Sequence, residues 1–114
     1  MFGKKRAELV GDVVGQIAAE MVADLEANRP EEAAAKVPTA WAVLDRVPFG
    51  GGPQMAVQTL RAWLNARQLA VETEVDTSEI DAQIMAWTLI CMTNPKAVKL
   101  APDLRRLYDE LAPH

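Results

Sequence analysis

The sequence predicts an all-α protein, a compact bundle of four to five helices with a central buried helix around residues 78–93. One observation is the run Ile84-Met85-Ala86-Trp87-Thr88-Leu89-Ile90-Cys91-Met92, in which Thr88 is the one polar side chain. A segment that is apolar on every side is expected to be buried on every side. The second observation is that apolar residues elsewhere in the chain recur every three or four positions, which is the period of a helix.

The central segment is predicted to be a helix because of its length and its ends. Asp76 or Thr77 can serve as its N-cap, and Asp76 with Glu79 fits a capping box. Asn94 ends the helix, since the residue before a proline avoids the α conformation. The resulting length is ordinary for a helix and long for a strand. It is too short to span a bilayer, which requires roughly 20 apolar residues.

The first helix is predicted from about Lys4 to Asn28, and its residues sort by type into rows at a spacing of four. Two neighbouring rows are apolar and predict a wide core-facing stripe. A third row consists of small residues, which we call the small-residue surface: Gly11, Gly15, Ala19 and Ala23. Glycine inside a helix costs about 1 kcal/mol relative to alanine, so these positions suggest the close approach of another backbone. The favoured interpretation is packing against a helix of the same chain; a partner, a second copy or no special role are the alternatives.

The remaining elements are marked by proline and glycine. Pro30 suits the first position of a second helix, which kinks or breaks at Pro38 and continues through Trp41. The segment Pro48-Phe49-Gly50-Gly51-Gly52-Pro53 is a loop, either a hinge or a tight connection. It lacks the Lys and Ser/Thr of a phosphate-binding loop. A third helix is predicted from Pro53 to about Leu69, and a last helix after Pro95 or Pro102.

An acidic segment precedes and opens the central helix. Its five acids, which we call the acidic surface, are Glu72, Glu74, Asp76, Glu79 and Asp81, with no Lys or Arg between residues 68 and 95. These acids do not fit the EF-hand pattern of alternate Asp/Asn, central glycine and final Glu. The segment is expected to be a solvated surface, and a site for a basic partner or a cation is the alternative.

The composition limits the chemistry that the chain can perform. A length of 114 residues predicts a single domain over 1–114. A formal net charge of −4 argues against nucleic-acid binding, which depends on Lys and Arg. The one cysteine, Cys91, lies in the most apolar stretch, and the one histidine, His114, is the last residue. We therefore expect no catalytic triad, no metal site, no cofactor and no enzymatic activity.

The function predicted from the sequence is that of a small non-enzymatic protein–protein interaction module in the cytoplasm. Such a module is an assembly factor, a structural component of a larger complex, or an acidic inhibitor or adaptor. Its partner is another protein or a second copy of the chain. A DNA-binding regulator with Lys4-Lys5-Arg6 as a basic arm is one alternative. A peripheral membrane protein anchored by the first helix is another, although the polar row of that helix is acidic where anchors are usually basic.

Overall fold

The computed structural model describes residues 2–111 and shows an all-α protein, as predicted. Met1 and the last three residues, which include His114, lie outside the described residues. The seven α-helices of the described part are α1 (Phe2–Glu26), α2 (Pro30–Ala35), α3 (Val37–Leu44), α4 (Gly52–Glu72), α5 (Ser78–Met92), α6 (Pro95–Leu100) and α7 (Leu104–Leu111). A short 3-10 turn spans Pro48–Gly50.

Helix α5 is the central helix of the bundle, which confirms the prediction for residues 78–93. It packs against α1, α3, α4, α6 and α7. Ile84, Trp87 and Ile90 on this helix are almost fully shielded from solvent, and so is the polar Thr88. The Thr88 hydroxyl donates to the carbonyl oxygen of Ile84 at 2.6 Å, so no hydrogen-bonding group of this side chain is left without a partner in the core.

The start of α5 differs in detail from the predicted capping box. Thr77 is the N-cap, and the Asp76 carboxylate accepts hydrogen bonds from the Ser78 backbone N–H at 3.3 Å and the Ser78 hydroxyl at 2.8 Å. Thr77 donates its hydroxyl proton to Asp81 at 3.0 Å. The carboxylate of Asp76 therefore stabilises the turn before α5 instead of the third amide of the helix.

The second predicted helix is divided into α2 and α3, and the last predicted helix is divided into α6 and α7. The break between α2 and α3 falls at Lys36, so Pro38 occupies the first turn of α3, where its missing N–H is harmless. At the other end, Asn94 separates α5 from α6. Its side-chain oxygen accepts hydrogen bonds from the backbone N–H groups of Lys96 at 2.9 Å and Ala97 at 3.3 Å. This is the usual role of asparagine at an N-cap.

Helices α1 and α4 end in the same geometry. Asn28 and Glu74 have left-handed backbone angles, with φ of 60° and 58°. The N–H of the following residue reaches back to the helix, from Arg29 to the Asp24 carbonyl and from Val75 to the Ala70 carbonyl, each at 2.8 Å. These are the bonds of a Schellman motif, which fixes the direction of the chain leaving the helix.

Candidate functional site

The first half of α1 exposes part of its apolar stripe. Val10 and Val14 are buried in the core, whereas Leu9 is 65% exposed and Val13 is 42% exposed. Further along the same helix Met21 is fully buried. The stripe is therefore wider than the surface that the rest of the described chain covers, and the uncovered part is confined to the amino-terminal half.

Leu9 and Val13 form one wall of a groove, and α3 forms the other. Ala42 and Val43 contribute apolar surface from α3, together with the methyl and hydroxyl groups of Thr39. The groove has a volume of about 690 Å³ and is open to solvent along its length. Protein sites that hold small ligands or side chains have volumes of roughly 300–1,000 Å³, so this groove is large enough to receive several aliphatic side chains.

Two arginines line the groove together with one carboxylate. Arg6 lies on α1, and Asp45 and Arg46 lie in the turn that follows α3. Among the described residues, neither guanidinium pairs with a carboxylate, whereas Arg67 pairs with Asp81 at 2.7 Å. An arginine without a local partner retains its full capacity to bind a carboxylate in two-point geometry. The groove is thus locally basic on a chain whose formal net charge is −4.

Helix α3 is attached to the core on the side opposite the groove by Trp41. The half-buried indole N–H donates to the carbonyl oxygen of Ile90 at 2.7 Å and lies 2.9 Å from the Thr93 hydroxyl. This carbonyl belongs to the last turn of α5, where carbonyl groups lack intrahelical N–H partners, and the Thr93 hydroxyl also donates to it at 2.9 Å. Trp41 packs against the core, and its ring edge serves in addition as a cap for the central helix.

A cluster of charges fixes the turn between α1 and α2. The Asp24 carboxylate, with 6% of its side chain exposed, bonds to Lys36 and to the Arg29 guanidinium at 3.2 Å. The hydrogen bond from Lys36, aided by both positive charges, holds the pKa of Asp24 below its ordinary value of 3.8 although burial acts in the opposite direction. Because Asp24 keeps its charge and both partners are on the following segment, the cluster orients α2 and α3 against α1.

The glycine-rich loop is a tight connection at its end and exposes an aromatic ring at its centre. A Cβ added to Gly52 would lie 2.5 Å from the Leu44 carbonyl oxygen, so the start of α4 abuts the end of α3. Phe49 is fully exposed and has a left-handed backbone with φ of 59°. A bulky residue seldom adopts this conformation, and such strain is concentrated at functional sites. The 3-10 turn that carries Phe49 begins two residues after Arg46, which lines the groove, and packs against α1.

The small-residue surface is not covered by another helix of the described chain. Gly15, Ala19 and Ala23 are exposed, and a Cβ built at Gly11 or Gly15 would meet nothing within 4 Å. The expectation that a helix of the same chain packs there is therefore wrong. The physical reason is that these residues face solvent, on the side of α1 opposite the groove. A role for Gly11, Gly15, Ala19 and Ala23 in binding a partner stays a prediction.

Four of the five residues of the acidic surface are exposed, namely Glu72, Glu74, Asp76 and Glu79. The fifth, Asp81, is partly buried and bonds to the Arg67 guanidinium on α4. Asp81 therefore joins α5 to α4 and is neutralised, whereas within residues 2–111 no lysine or arginine pairs with the other four acids. Their role as a partner surface stays a prediction.

The described residues include no group suited to metal or thiolate chemistry. No three His, Cys, Asp or Glu side chains in the described part of the chain lie close enough together to hold a metal ion. Cys91 is fully buried, and burial raises the pKa of its thiol to about 12. A thiol in this environment is protonated at neutral pH and is a poor nucleophile.

Sequence reasoning missed the groove and Phe49. The exposure of Leu9 and Val13 depends on how far α3 covers α1, which no local pattern states. Phe49 carried a signal, because a lone aromatic residue between a proline and three glycines has no helical neighbour with which to reach the core.

Within residues 2–111 no helix is both long and apolar enough to cross a membrane. Comparisons with protein-family models, curated proteins and solved structures found no match to this chain.

Proposed function

We propose that this chain is a small, non-enzymatic protein–protein interaction module that binds a polypeptide in the groove between α1 and α3. The observation that carries the proposal is the exposure of Leu9 and Val13 on a helix whose neighbouring apolar residues are buried. Contiguous apolar surface rimmed by charges is typical of a binding site. An assembly factor, a structural component of a complex and an acidic inhibitor or adaptor are roles that fit such a module.

Covering the exposed apolar side chains of the groove would contribute part of the binding free energy. Complete burial of a leucine or valine side chain contributes about 1.5–3 kcal/mol. Leu9 and Val13 are already partly buried, so covering their remaining exposed surface contributes about 2–3 kcal/mol together. Arg6 and Arg46 supply charge-assisted hydrogen bonds, and Phe49 offers an aromatic anchor beside the groove.

The test compares three tagged forms of the chain in the cells from which the sequence comes: wild type, Leu9→Asp and Ala19→Asp. Both substitutions place a carboxylate on an exposed position of α1, one in the groove and one on the small-residue surface. Proteins that co-purify in stoichiometric amount are measured by quantitative mass spectrometry. An untagged copy of the chain is expressed alongside, so that self-association is detected as well.

We expect the Leu9→Asp form to lose its co-purifying polypeptide by at least about tenfold, because a carboxylate would have to be desolvated in an apolar contact. The Ala19→Asp form should retain it. If Leu9→Asp retains the polypeptide and Ala19→Asp loses it, the small-residue surface is the binding site and the groove is not. The absence of any stoichiometric polypeptide with wild type would contradict the proposed function.

A further inference from the structure

We infer that the groove receives the α4–α5 knob of a second copy of this chain, so that copies associate head to tail. The knob consists of Leu69 and residues 71–76, which form the last turn of α4 and the turn before α5. This inference rests on the proposed function and names the partner of the same groove. The knob is already ordered, and the two surfaces are complementary in shape and in charge.

The knob projects from the bundle and carries aliphatic side chains. Every residue from Val71 to Asp76 is exposed. Leu69, Val71 and Val75 have exposed fractions of 62%, 55% and 58%. Single exposed aliphatic residues are ordinary, but here Leu69 and Val71 flank the buried Ala70 on α4 and Val75 follows in the turn, so the tip of the knob presents aliphatic surface that a concave apolar site can receive.

The knob is held in one conformation by its own backbone. Glu74 has a left-handed φ of 58°, and its N–H donates to the Val71 carbonyl at 3.2 Å. The N–H of Val75 donates to the Ala70 carbonyl at 2.8 Å. A segment that is already ordered loses little conformational entropy when it binds, which favours association.

The charges of the two surfaces are opposite. Glu72, Glu74 and Asp76 on the knob have no lysine or arginine partner within the described residues, and the groove offers the guanidinium groups of Arg6 and Arg46. Complementary charge at the rim of an apolar contact orients two partners and disfavours other arrangements. In the inferred contact, the carboxylates of the knob of one copy pair with the two arginines in the groove of the next copy.

One copy cannot bring its own knob to its own groove. The start of α4 abuts Leu44, next to the turn that lines the groove, and the end of α4 carries the knob. Since α4 is 21 residues long, its two ends are about 30 Å apart. The contact must therefore be between copies, and it joins two different surfaces. Such an interface repeats from copy to copy and forms rings or open chains instead of a closed dimer.

The first measurement is sedimentation equilibrium of the full chain over a thousandfold range of concentration, at low and high salt. The mean mass should rise progressively, without a plateau at two chains, and should fall when salt screens the charges. Val75→Asp in the knob and Leu9→Asp in the groove should each abolish the rise, while Ala19→Asp should not. Circular dichroism verifies that each variant is folded.

The second measurement exchanges the charges. One variant carries Arg6→Glu with Arg46→Glu, and the other carries Glu72→Arg with Glu74→Arg. Each alone should associate at least about tenfold more weakly than wild type, because like charges then face each other. An equimolar mixture should associate again, since each variant's groove is complementary to the other's knob. The matched control is Glu26→Arg/Glu31→Arg alone, which changes two exposed acids outside both surfaces and should associate as strongly as wild type.

A wild-type chain that stays monomeric at millimolar concentration overturns the inference, and so does a mass that stops at two chains. A mixture of charge-exchanged variants that fails to associate overturns it as well. These results leave the proposed function standing if the Leu9→Asp form still loses a different stoichiometric polypeptide in cells. Failure of the proposed function is distinguished by the absence of any groove-dependent polypeptide, including a second copy.

Discussion

The same substitution, glycine to alanine, should have opposite effects at two positions in this fold. At Gly15 the added methyl group meets no heavy atom within 4 Å and lies at an exposed position inside a 25-residue helix. Alanine there removes the helix-propensity penalty of glycine and reduces the entropy of the unfolded chain. We expect the free energy of unfolding to rise by about 0.5–1 kcal/mol.

At Gly52 the methyl group would lie 2.5 Å from the carbonyl oxygen and 3.0 Å from the carbonyl carbon of Leu44. The oxygen is about 0.9 Å closer than the 3.4 Å at which ordinary van der Waals contact begins. Because both groups belong to helix termini, α4 must move away from α3 to relieve the overlap. Overpacking of this kind costs about 1–3 kcal/mol, so Gly52→Ala should lower the free energy of unfolding by that amount.

The assay is urea and thermal unfolding of both variants, followed by far-ultraviolet circular dichroism. One kcal/mol corresponds to a change in melting temperature of roughly 4 °C for a domain of this size. An unchanged dependence on urea would show that the substitutions alter stability and not compactness. If Gly15→Ala lowers the melting temperature, another backbone does pack on the small-residue surface. A melting temperature that then varies with protein concentration would assign that backbone to a second copy.

Three further outcomes follow from the core and the charge cluster. Trp87→Ala should destabilise the protein by about 3–5 kcal/mol in urea unfolding, because the indole is 4% exposed in the centre of the core; a melting temperature within two degrees of wild type would contradict this. Asp24→Asn should remove part of the acid sensitivity of folding. The folded-state pKa of Asp24 lies below its ordinary value of 3.8, so its contribution is complete above that pH and is lost as the pH falls through the folded-state pKa. Urea midpoints of wild type and Asp24→Asn should therefore differ most at neutral pH and converge in strong acid. Cys91, with its pKa raised to about 12, should react with iodoacetamide at neutral pH only as fast as the protein unfolds, which mass spectrometry against urea concentration measures.

Composition and helical period predicted the fold well for residues whose burial and secondary structure depend only on their own segment of the chain. The apolar run from Ile84 to Met92 has no polar face that could be exposed to solvent. Burial in the centre of the bundle was therefore the arrangement expected for it. The proline and asparagine at 94–95 ended α5 for reasons of local backbone geometry. Both predictions needed no knowledge of the rest of the chain.

The candidate site could not be predicted in the same way, because it depends on what covers each helix. Asp24 occupies the same polar row as Asp12 and Glu20, and only the turn into α2 brings Lys36 and Arg29 to it. Leu9 and Met21 are both apolar residues in the same row of α1, yet Met21 is fully buried and Leu9 is exposed. The glycines of α1 did not predict a packed surface correctly, since a propensity penalty gives no information about which side of the helix faces a neighbour.

The bond from Trp41 to the last turn of α5 links the groove to the centre of the protein. Ala42 and Val43, which line the groove, follow Trp41 directly in α3, so a displacement of α3 away from α1 would also displace the indole from the Ile90 carbonyl. If the proposed polypeptide displaces α3 when it binds, occupancy of the groove and the order of that last turn would be thermodynamically coupled, and such coupling is reciprocal. A substitution at Thr93 that weakens the bond between Trp41 and the end of α5 should then change the affinity of the groove for its ligand. The factor should equal the one by which the bound ligand changes the equilibrium for forming that bond. The indole of Trp41 is also a natural fluorophore at this junction, so its emission should change if the proposed polypeptide binds in the groove and displaces α3.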